Sequence, residues 1–342
     1  MFTQNDYKSD QPLRYCPGCG DHAIFASMTK AMAELQLDPA KTAVISGIGC
    51  SSRTPYYFGA YGMQTIHGRG LAISTGLKTA RPDLSVWNCS GDGDCLAIGG
   101  NHFIHAMRRN IDLNIIVFNN QIYGLTKGQY SPTSERGAVT KSSPFGTCED
   151  PFCPAELCLG ARGNFFARAL DCDIQNSVKC MVAAAKHKGA SVVEMLANCV
   201  VWKDGTHKTI TDPAVRADKT IILEDGKPMI FGANKDKGLM LDGWNIKVVT
   251  LGENGITEKD LLVHDSKNGD LALHLKLAMM GYNPYGYAAN EDQLPVALGV
   301  IRDVDAPTYN DAVNEQIEEV QAKKKARTLR DLILSGDTWE VK

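Results

Sequence analysis

The first two hundred residues alternate short apolar runs with stretches of helical spacing. The apolar runs are typical of buried strands, which we predict over Thr42–Ser46, Ser85–Asn88, Leu113–Phe118 and Ser191–Met195. Apolar residues three and four positions apart between these runs predict helices over Asp21–Leu35, Leu71–Thr79, Leu96–Arg109 and Ile174–His187. Strands that alternate with helices in this way predict an α/β fold, in which a mostly parallel sheet carries helices on both faces.

The pattern changes near Trp202, where short strands, turns and charges replace the long helical spacing. The chain ends in a charged, helix-like stretch over Asp311–Leu334, acidic at first and basic afterwards. We therefore predict a main domain over residues 1–200 and a smaller C-terminal extension over residues 201–342. The charged end is typical of a solvated helix face, and contact with a partner subunit is the alternative interpretation.

Bulk properties exclude several classes of protein. A net charge of −3 and a pI near 6.2 argue against nucleic acid or an anionic membrane as the main partner. The first fifteen residues contain no apolar segment of the kind found in secretory signals, and no apolar run approaches the roughly 20 residues of a membrane helix. We expect a cytoplasmic protein with neither a nucleic-acid nor a membrane partner.

Glycine-rich loops follow three predicted strands, and ligands bind at the carboxyl ends of strands in parallel sheets. One loop carries Gly91-Asp92-Gly93, and Asn119-Asn120 follows the next strand, so we expect Asp92 and Asn120 at the same edge of the sheet. A carboxylate, an amide oxygen, a loop carbonyl and phosphate oxygens form a ligand set that suits Mg²⁺. The sequence therefore predicts a diphosphate–magnesium site, close to the positive end of the helix that begins near Leu96.

Two other phosphate-binding loops do not fit. Leu96 stands where the dinucleotide fingerprint needs a third glycine, and Gly70–Thr79 lacks the spacing of a Walker loop. A tight turn is the alternative for an isolated Gly-Asp-Gly. The Asn-Asn pair after the next strand makes the combination more specific than either part.

Eleven cysteines are many for a reducing compartment, where a disulfide framework is not expected. Cys16 and Cys19 form a C-x-x-C pair before a helix, Cys50 follows the first predicted strand, and Cys199 follows the last. Four thiolates bind either structural zinc or a 4Fe–4S cluster. Because Cys50 lies in a loop that borders the predicted cofactor, an electron acceptor is the more sensible occupant.

Other cysteines have simpler interpretations. Four are expected to be buried small hydrophobes, namely Cys89, Cys95, Cys172 and Cys180. A second metal site at the regularly spaced Cys148, Cys153 and Cys158 stays a hypothesis, because the intervening prolines prevent one continuous helix.

These patterns together resemble the β subunits of 2-oxoacid:ferredoxin oxidoreductases. Such subunits carry Cys-Pro-x-Cys-Gly near the start, Gly-x-Gly-Cys-Ser after the first strand, the Gly-Asp-Gly and Asn-Asn of the thiamine-diphosphate motif, and a cysteine after the strand that ends the cofactor domain. All of these are present within roughly the first 200 residues. The run from Phe118 to Thr133 is more similar to the 2-oxoglutarate type than to the pyruvate type.

The resemblance implies thiamine diphosphate, Mg²⁺ and one 4Fe–4S cluster. It assigns the cluster to Cys16, Cys19, Cys50 and Cys199, and the magnesium ion to Asp92, Asn120 and the carbonyl of Ile122. The other cofactor contacts that it implies are Ile48, Gly49, Cys50, Ser51, His67, Gly68, Gly91, Gly93, Asp94, Tyr123, Gly124, Leu125 and Thr126.

The resemblance also assigns substrate-binding side chains. Lys127 is expected near the substrate carboxylate, Arg53 is a second cationic candidate, and His67 is expected to bond the diphosphate. The alternatives are an exposed loop lysine and a structural histidine.

The implied reaction is oxidative decarboxylation of a 2-oxoacid, most similar to 2-oxoglutarate, with CoA, the electrons passing through the cluster to ferredoxin, or the reverse. We find no candidate for the glutamate that activates the thiamine pyrimidine. That glutamate and a substrate arginine are therefore expected on an α subunit, within an (αβ)2 or larger heteromer, and this chain alone is expected to be inactive.

Three alternatives remain open from the sequence. A pyruvate or branched-chain 2-oxoacid enzyme would share nearly every motif. A non-oxidative thiamine-dependent decarboxylase would keep Asp92 and Asn120 but would need no set of four cysteines. A zinc-stabilised binding module would keep the cysteines but would need neither Gly-Asp-Gly nor Asn-Asn.

Overall fold

An eight-stranded sheet forms the centre of the protein in a computed structural model, which describes residues 1–283, 286–287, 294–323, 327–337 and 339–341. The strands of the chain are β1 Thr42–Ser46, β2 Tyr61–Gln64, β3 Ser85–Gly91, β4 Leu113–Asn119, β5 Phe165–Leu170, β6 Ala190–Leu196, β7 Thr220–Leu223, β8 Ile230–Phe231, β9 Lys237–Asp242, β10 Asn245–Thr250, β11 Tyr282–Asn283, β12 Gly286–Tyr287 and β13 Val296–Asp303. The α-helices are α1 Asp21–Leu35, α2 Thr54–Tyr57, α3 Gly70–Ala80, α4 Gly100–Arg109, α5 Pro154–Gly160, α6 Ile174–Lys186, α7 Lys208–Thr211, α8 Arg216–Lys219, α9 Leu271–Met279, α10 Tyr309–Lys323 and α11 Leu329–Ile333.

The sheet has the strand order β2-β1-β3-β4-β6-β5-β13-β7 and is mostly parallel, as the alternating pattern predicts. The first six strands in this order pair in parallel, whereas β13 runs antiparallel to β5 and parallel to β7. The extension that begins near residue 201 therefore supplies two strands of the same sheet. A separate antiparallel sheet, β10-β9-β8, lies within that extension.

Helices cover both faces of the sheet. On one face α1 packs against α6, and residues such as Phe25, Met28 and Met181 fill the core below them. On the other face α3, α4, α5 and α9 pack in sequence over a core that includes Phe103 and Ile115. Because both faces are covered, the central strands are nearly continuously apolar, with all seven residues of β6 buried.

The four strands predicted from apolar runs are confirmed, and α1 has the predicted bounds. The helix predicted from Leu96 begins only at Gly100, because a π-helical turn over Asp94–Ile98 precedes it. A side chain at Gly99 would lie 2.4 Å from the carbonyl oxygen of Asp94, so the glycine permits this tight junction.

The charged C-terminal stretch forms two helices, α10 and α11, where the sequence predicts one. Residues 324–326, between them, lie outside the described residues. None of the helices within the described ranges is both long enough and apolar enough to span a membrane.

Candidate functional site

A cavity of about 470 Å³ opens at the carboxyl ends of β1, β3 and β4. All of the predicted cofactor contacts except Gly68 line its wall, together with Asp21, Phe118 and Gln129. The parallel sheet brings these residues together because the loops after neighbouring parallel strands emerge at the same edge.

Asp94 fastens three of the loops around the cavity to one another. Its Oδ1 accepts hydrogen bonds from the backbone N–H of Ile48 at 3.0 Å and of Gly68 at 2.7 Å, and it lies 2.8 Å from Nδ1 of His67. Its Oδ2 accepts a hydrogen bond from the hydroxyl of Ser90. Both oxygens of this buried carboxylate are thus engaged by the protein, so Asp94 supports the cavity wall and His67 keeps Nε2 for a ligand.

Asp92 is also buried, with 2 % of its surface exposed. Two hydroxyl groups, of Ser131 and Thr133, each donate a hydrogen bond to its Oδ2 at 2.5 Å. Burial raises the pKa of the Asp92 carboxyl, while the two hydroxyl donors lower it. Its other oxygen, Oδ1, receives no side-chain hydrogen bond in the described part of the chain, and it is the oxygen available to a metal ion.

The loop after β4 supplies the opposite wall. The Oδ1 of Asn120 accepts a hydrogen bond from the backbone N–H of Ile122 at 3.2 Å, and Gln121 between them has a positive φ of 54°. The hydroxyl of Tyr123 donates to the carbonyl of Gly93 at 3.0 Å, which ties this loop to the Gly-Asp-Gly loop. Asp92, Asn120 and Ile122 therefore line one cavity, as a shared metal ion would require.

A second cavity of about 220 Å³ adjoins the first, and Cys16, Cys19, Cys50 and Cys199 all line it. The backbone N–H of Gly20 donates to the carbonyl of Asn198 at 3.1 Å, which holds the C-x-x-C loop beside the loop that carries Cys199. A side chain at Gly20 would lie 2.1 Å from the carboxylate of Asp171, so only glycine fits there.

The spacing of the thiols is informative. All eleven cysteines lie within the described residues, none forms a disulfide, and no three of their Sγ atoms come within 4.8 Å of one another. A single tetrahedral zinc ion would hold its thiolates about 3.8 Å apart, as Zn–S bonds of about 2.3 Å dictate. The thiols therefore lack the spacing of a single zinc site, and a wider core such as a 4Fe–4S cluster is compatible with their arrangement.

Two further observations concern the room and the charge at the four thiols. A methyl group added at Gly124 would lie 3.6 Å from Sγ of both Cys50 and Cys199, so the glycine keeps the wall open next to these sulfurs. Burial raises the pKa of the Cys50 thiol to about 12 and that of Cys19 further still, with Asp21 contributing to both shifts. A bound metal ion would offset this cost of forming thiolates.

Asp21, the first residue of α1, lines both cavities and is 1 % exposed. Neither of its carboxylate oxygens has a hydrogen-bond partner in the described part of the chain. Burial raises its pKa to about 7. The only signal for it in the sequence is its position directly after the Cys-Pro-Gly-Cys-Gly run, which by itself gives no role.

Of the side chains predicted to bind substrate, His67 lines the main cavity, but the two cationic candidates, Lys127 and Arg53, do not. Lys127 is exposed at a positive φ of 79° and does not line that cavity. Arg53 instead lines an adjoining cavity of about 500 Å³ with Arg14, which the sequence did not suggest. Neither arginine forms an ion pair with any residue that the structure describes, so this adjoining cavity is a cationic chamber.

The remaining cysteines are separate from these sites. Cys89, Cys95 and Cys180 are buried as expected, but Cys172 is exposed, because it lies in the turn after β5 rather than in a strand or helix. Cys153, directly before α5, and Cys158, within it, are buried in the core, whereas Cys148 is exposed on the preceding loop. These three thiols do not converge on one point.

Comparison with known proteins finds thiamine-dependent oxidoreductases. Residues 47–195 match the family model described as thiamine pyrophosphate enzyme, C-terminal TPP binding domain. The chain is 43% identical over 338 residues to the 2-oxoglutarate oxidoreductase subunit KorB of Mycobacterium tuberculosis, covering 98% of this chain and 88% of that relative. It is 45% identical over 188 residues to the 2-oxoglutarate synthase subunit KorB of Archaeoglobus fulgidus, covering 55% of this chain and 70% of that one.

A solved structure is also similar. It is that of a 2-oxoglutarate:ferredoxin oxidoreductase from Magnetococcus marinus with 2-oxoglutarate, coenzyme A and succinyl-CoA bound. The TM-score is 0.75 at 29% identity, and the match covers 98% of this chain and 97% of the other.

Proposed function

Because the chain belongs to the family of 2-oxoacid:ferredoxin oxidoreductase β subunits, we propose that it is the catalytic β subunit of a 2-oxoglutarate:ferredoxin oxidoreductase. In this proposal it decarboxylates 2-oxoglutarate oxidatively with CoA and passes the electrons through a 4Fe–4S cluster to ferredoxin, or runs in reverse. The observation that carries the proposal is that the two cavities share a wall. Asp21, Cys50, Asn120, Gly124 and Leu125 line both of them.

The larger cavity is proposed to hold thiamine diphosphate and Mg²⁺. Asp92, Asn120 and the carbonyl of Ile122 are the proposed metal ligands. When bound, thiamine diphosphate supplies the nucleophilic carbon and the electron sink for 2-oxoacid chemistry. Because two hydroxyl groups hold Oδ2 of Asp92, its Oδ1 would be the oxygen that binds the metal. Because Nδ1 of His67 contacts Asp94, its Nε2 would be free to bond the diphosphate.

The smaller cavity is proposed to hold the 4Fe–4S cluster on Cys16, Cys19, Cys50 and Cys199, where it supplies a one-electron acceptor. The thiol spacing and the glycine beside Cys50 and Cys199 support this assignment over zinc. Cys50 lines both cavities, so the path for electrons between the two proposed groups is short.

For the substrate, we retain Lys127 and Arg53 as the proposed cationic contacts. The cationic chamber lined by Arg53 and Arg14 shares Gly49 and Leu125 with the cofactor cavity, which suits a second carboxylate at the far end of a dicarboxylic substrate. Lys127 would have to turn inward when the substrate or a partner covers the loop.

The chain is proposed to act only with an α subunit, in an (αβ)2 or larger heteromer in the cytoplasm. Among the residues that the structure describes, no glutamate lines the cofactor cavity. We therefore propose that the partner supplies the pyrimidine-activating glutamate, together with a further arginine for the substrate.

The deciding experiment is co-expression with the α subunit and anaerobic purification. Iron, zinc and thiamine contents are measured, and viologen reduction with CoA is followed on a panel of 2-oxoacids. We expect four irons per chain, thiamine diphosphate, and the highest kcat/KM with 2-oxoglutarate. Zinc without iron would overturn the cluster assignment, and faster turnover of pyruvate would overturn the substrate assignment. Arg53→Gln should lower kcat/KM for 2-oxoglutarate more than for pyruvate.

A further inference from the structure

A fully buried ion pair lies in the middle of the sheet. Arg168 on β5 and Glu194 on β6 are register partners, both side chains are 0% exposed, and Nε lies 2.7 Å from Oε2. Such a pair is expensive to bury, and well-packed apolar residues in its place are often neutral or stabilising. Stability alone therefore does not explain why this ion pair is present.

A chain of hydrogen bonds leads from this pair to Asp92. The Nδ2 of Asn119 donates to Oε1 of Glu194 at 2.8 Å, and the hydroxyl of Thr133 lies 3.0 Å from Oδ1 of Asn119. The same hydroxyl lies 2.5 Å from Oδ2 of Asp92. Every member of this chain is at most 2 % exposed, so water does not compete for these bonds.

The order of donors and acceptors along the chain is fixed by charge. Oε1 of Glu194, which forms an ion pair with Arg168, accepts a hydrogen bond from the Asn119 amide, so the amide nitrogen faces Glu194 and the amide oxygen faces Thr133. The single hydroxyl proton of Thr133 lies between two acceptors, Oδ1 of Asn119 and Oδ2 of Asp92, and a three-centre hydrogen bond reaches both. These contacts fix the rotamer of Thr133, and Thr133 in turn fixes the position of Oδ2 of Asp92.

The other end of Arg168 reaches the C-terminal extension. Its two terminal nitrogens donate to the carbonyl of Ala297 on β13 at 3.3 Å and to that of Ala278 on α9 at 3.1 Å. The guanidinium therefore joins the extension to a hydrogen-bond chain that ends at the proposed metal site.

We propose that the Arg168–Glu194 pair, acting through Asn119 and Thr133, positions Asp92 for its metal ion and makes the C-terminal extension part of the support of that site. This inference rests on the diphosphate–magnesium site of the proposed function. Glu194, Asn119 and Thr133 are positioning residues, because they act through Asp92 and do not line the cavity themselves. Outer-shell partners of metal ligands commonly change metal affinity by about 10- to 100-fold.

The test uses the αβ heteromer, with Mn²⁺ as the probe in the presence of thiamine diphosphate. Free Mn²⁺ is counted by electron paramagnetic resonance. Thr133→Val has the same shape without the hydroxyl and should weaken Mn²⁺ binding at least about tenfold, whereas Thr133→Ser should stay within about twofold of the parent. Glu194→Gln should weaken it as Thr133→Val does. Iron content should be unchanged in all of them.

Val192→Ala is the matched control, because it removes buried packing from the same strand without touching a polar group. It should leave Mn²⁺ affinity unchanged. The inference fails if folded Thr133→Val binds Mn²⁺ as the parent does, or if Val192→Ala weakens binding equally. A parent heteromer that binds neither Mn²⁺ nor thiamine diphosphate would instead overturn the diphosphate–metal site itself.

Discussion

Replacing Asp94 with alanine tests whether this carboxylate holds the loops of the cavity wall together. The change removes the carboxylate that accepts hydrogen bonds from the backbone N–H groups of Ile48 and Gly68. It also removes the contacts of that carboxylate with His67 and Ser90. A buried group left without its partner costs about 1–3 kcal/mol, so two orphaned N–H groups give a loss of about 4 kcal/mol in the free energy of unfolding.

Asp94→Asn provides the graded comparison. The amide oxygen can still accept from both N–H groups, and the hydroxyl of Ser90 can rotate to accept from the amide nitrogen. Only the charge-assisted part of these bonds is lost, so we expect the free energy of unfolding to decrease by about 1–2 kcal/mol. Urea unfolding followed by tryptophan fluorescence measures both variants, with Asp83→Ala in an exposed ion pair as the control that should change nothing measurable.

The result that refutes this reasoning is an Asp94→Ala protein as stable as Asp94→Asn. In that case the N–H groups of Ile48 and Gly68 would have other acceptors or water, and the loops would be held by packing alone.

Three further predictions follow from particular contacts. Cys199→Ser should keep thiamine diphosphate and lose iron, whereas Cys148→Ser, on an exposed thiol, should keep both; full iron in Cys199→Ser would place the fourth ligand elsewhere. Gly93→Ala should lower the melting temperature, because the new methyl group would lie 2.2 Å from the ring of Tyr123, whereas Gly100→Ala meets nothing within 4 Å and should be neutral or stabilising. Burial lowers the pKa of His207 to about 4 in the folded protein. As the pH drops, the unfolded chain therefore binds a proton at this histidine before the folded protein does. The free energy of unfolding should fall by up to about 3 kcal/mol between about pH 6.5 and pH 4. His207→Gln should lose less stability than the parent between pH 7 and pH 4.5 in urea titrations, and an equal loss would contradict the assignment.

Local patterns in the sequence were sufficient for the parts of the fold that depend on neighbours along the chain. The bounds of α1 follow from its regular apolar spacing, and β4 follows from its apolar run. The strand β5 was missed because Arg168 interrupts an otherwise apolar segment, and a single buried charge is understood only with its partner on another strand. Nothing local indicates that β13 runs opposite to β5, since strand direction is decided by the connections.

The same distinction applies to the site. Ligands with a fixed spacing, such as Cys16 with Cys19, can be recognised along the chain because the chemistry constrains neighbouring residues. The hydroxyls that hold Asp92 come from Ser131 and Thr133, 39 and 41 positions away, and serine and threonine are too common for that distance to be informative. Asp21 could not be recognised in the sequence, because its unusual feature is a buried carboxylate without a hydrogen-bond partner among the described residues, and only the packed structure shows this.

The short strand β2 at the edge of the sheet has a practical consequence for anyone who expresses this subunit by itself. Tyr61 and Met63 on this strand and Ile66 just after it are 62%, 49% and 76% exposed, and the edge of a sheet can pair with another chain. We expect the lone polypeptide to precipitate as its concentration rises, and Met63→Lys to delay this in light-scattering measurements. If the substitution has no effect, the edge of the sheet does not govern the solubility of the subunit.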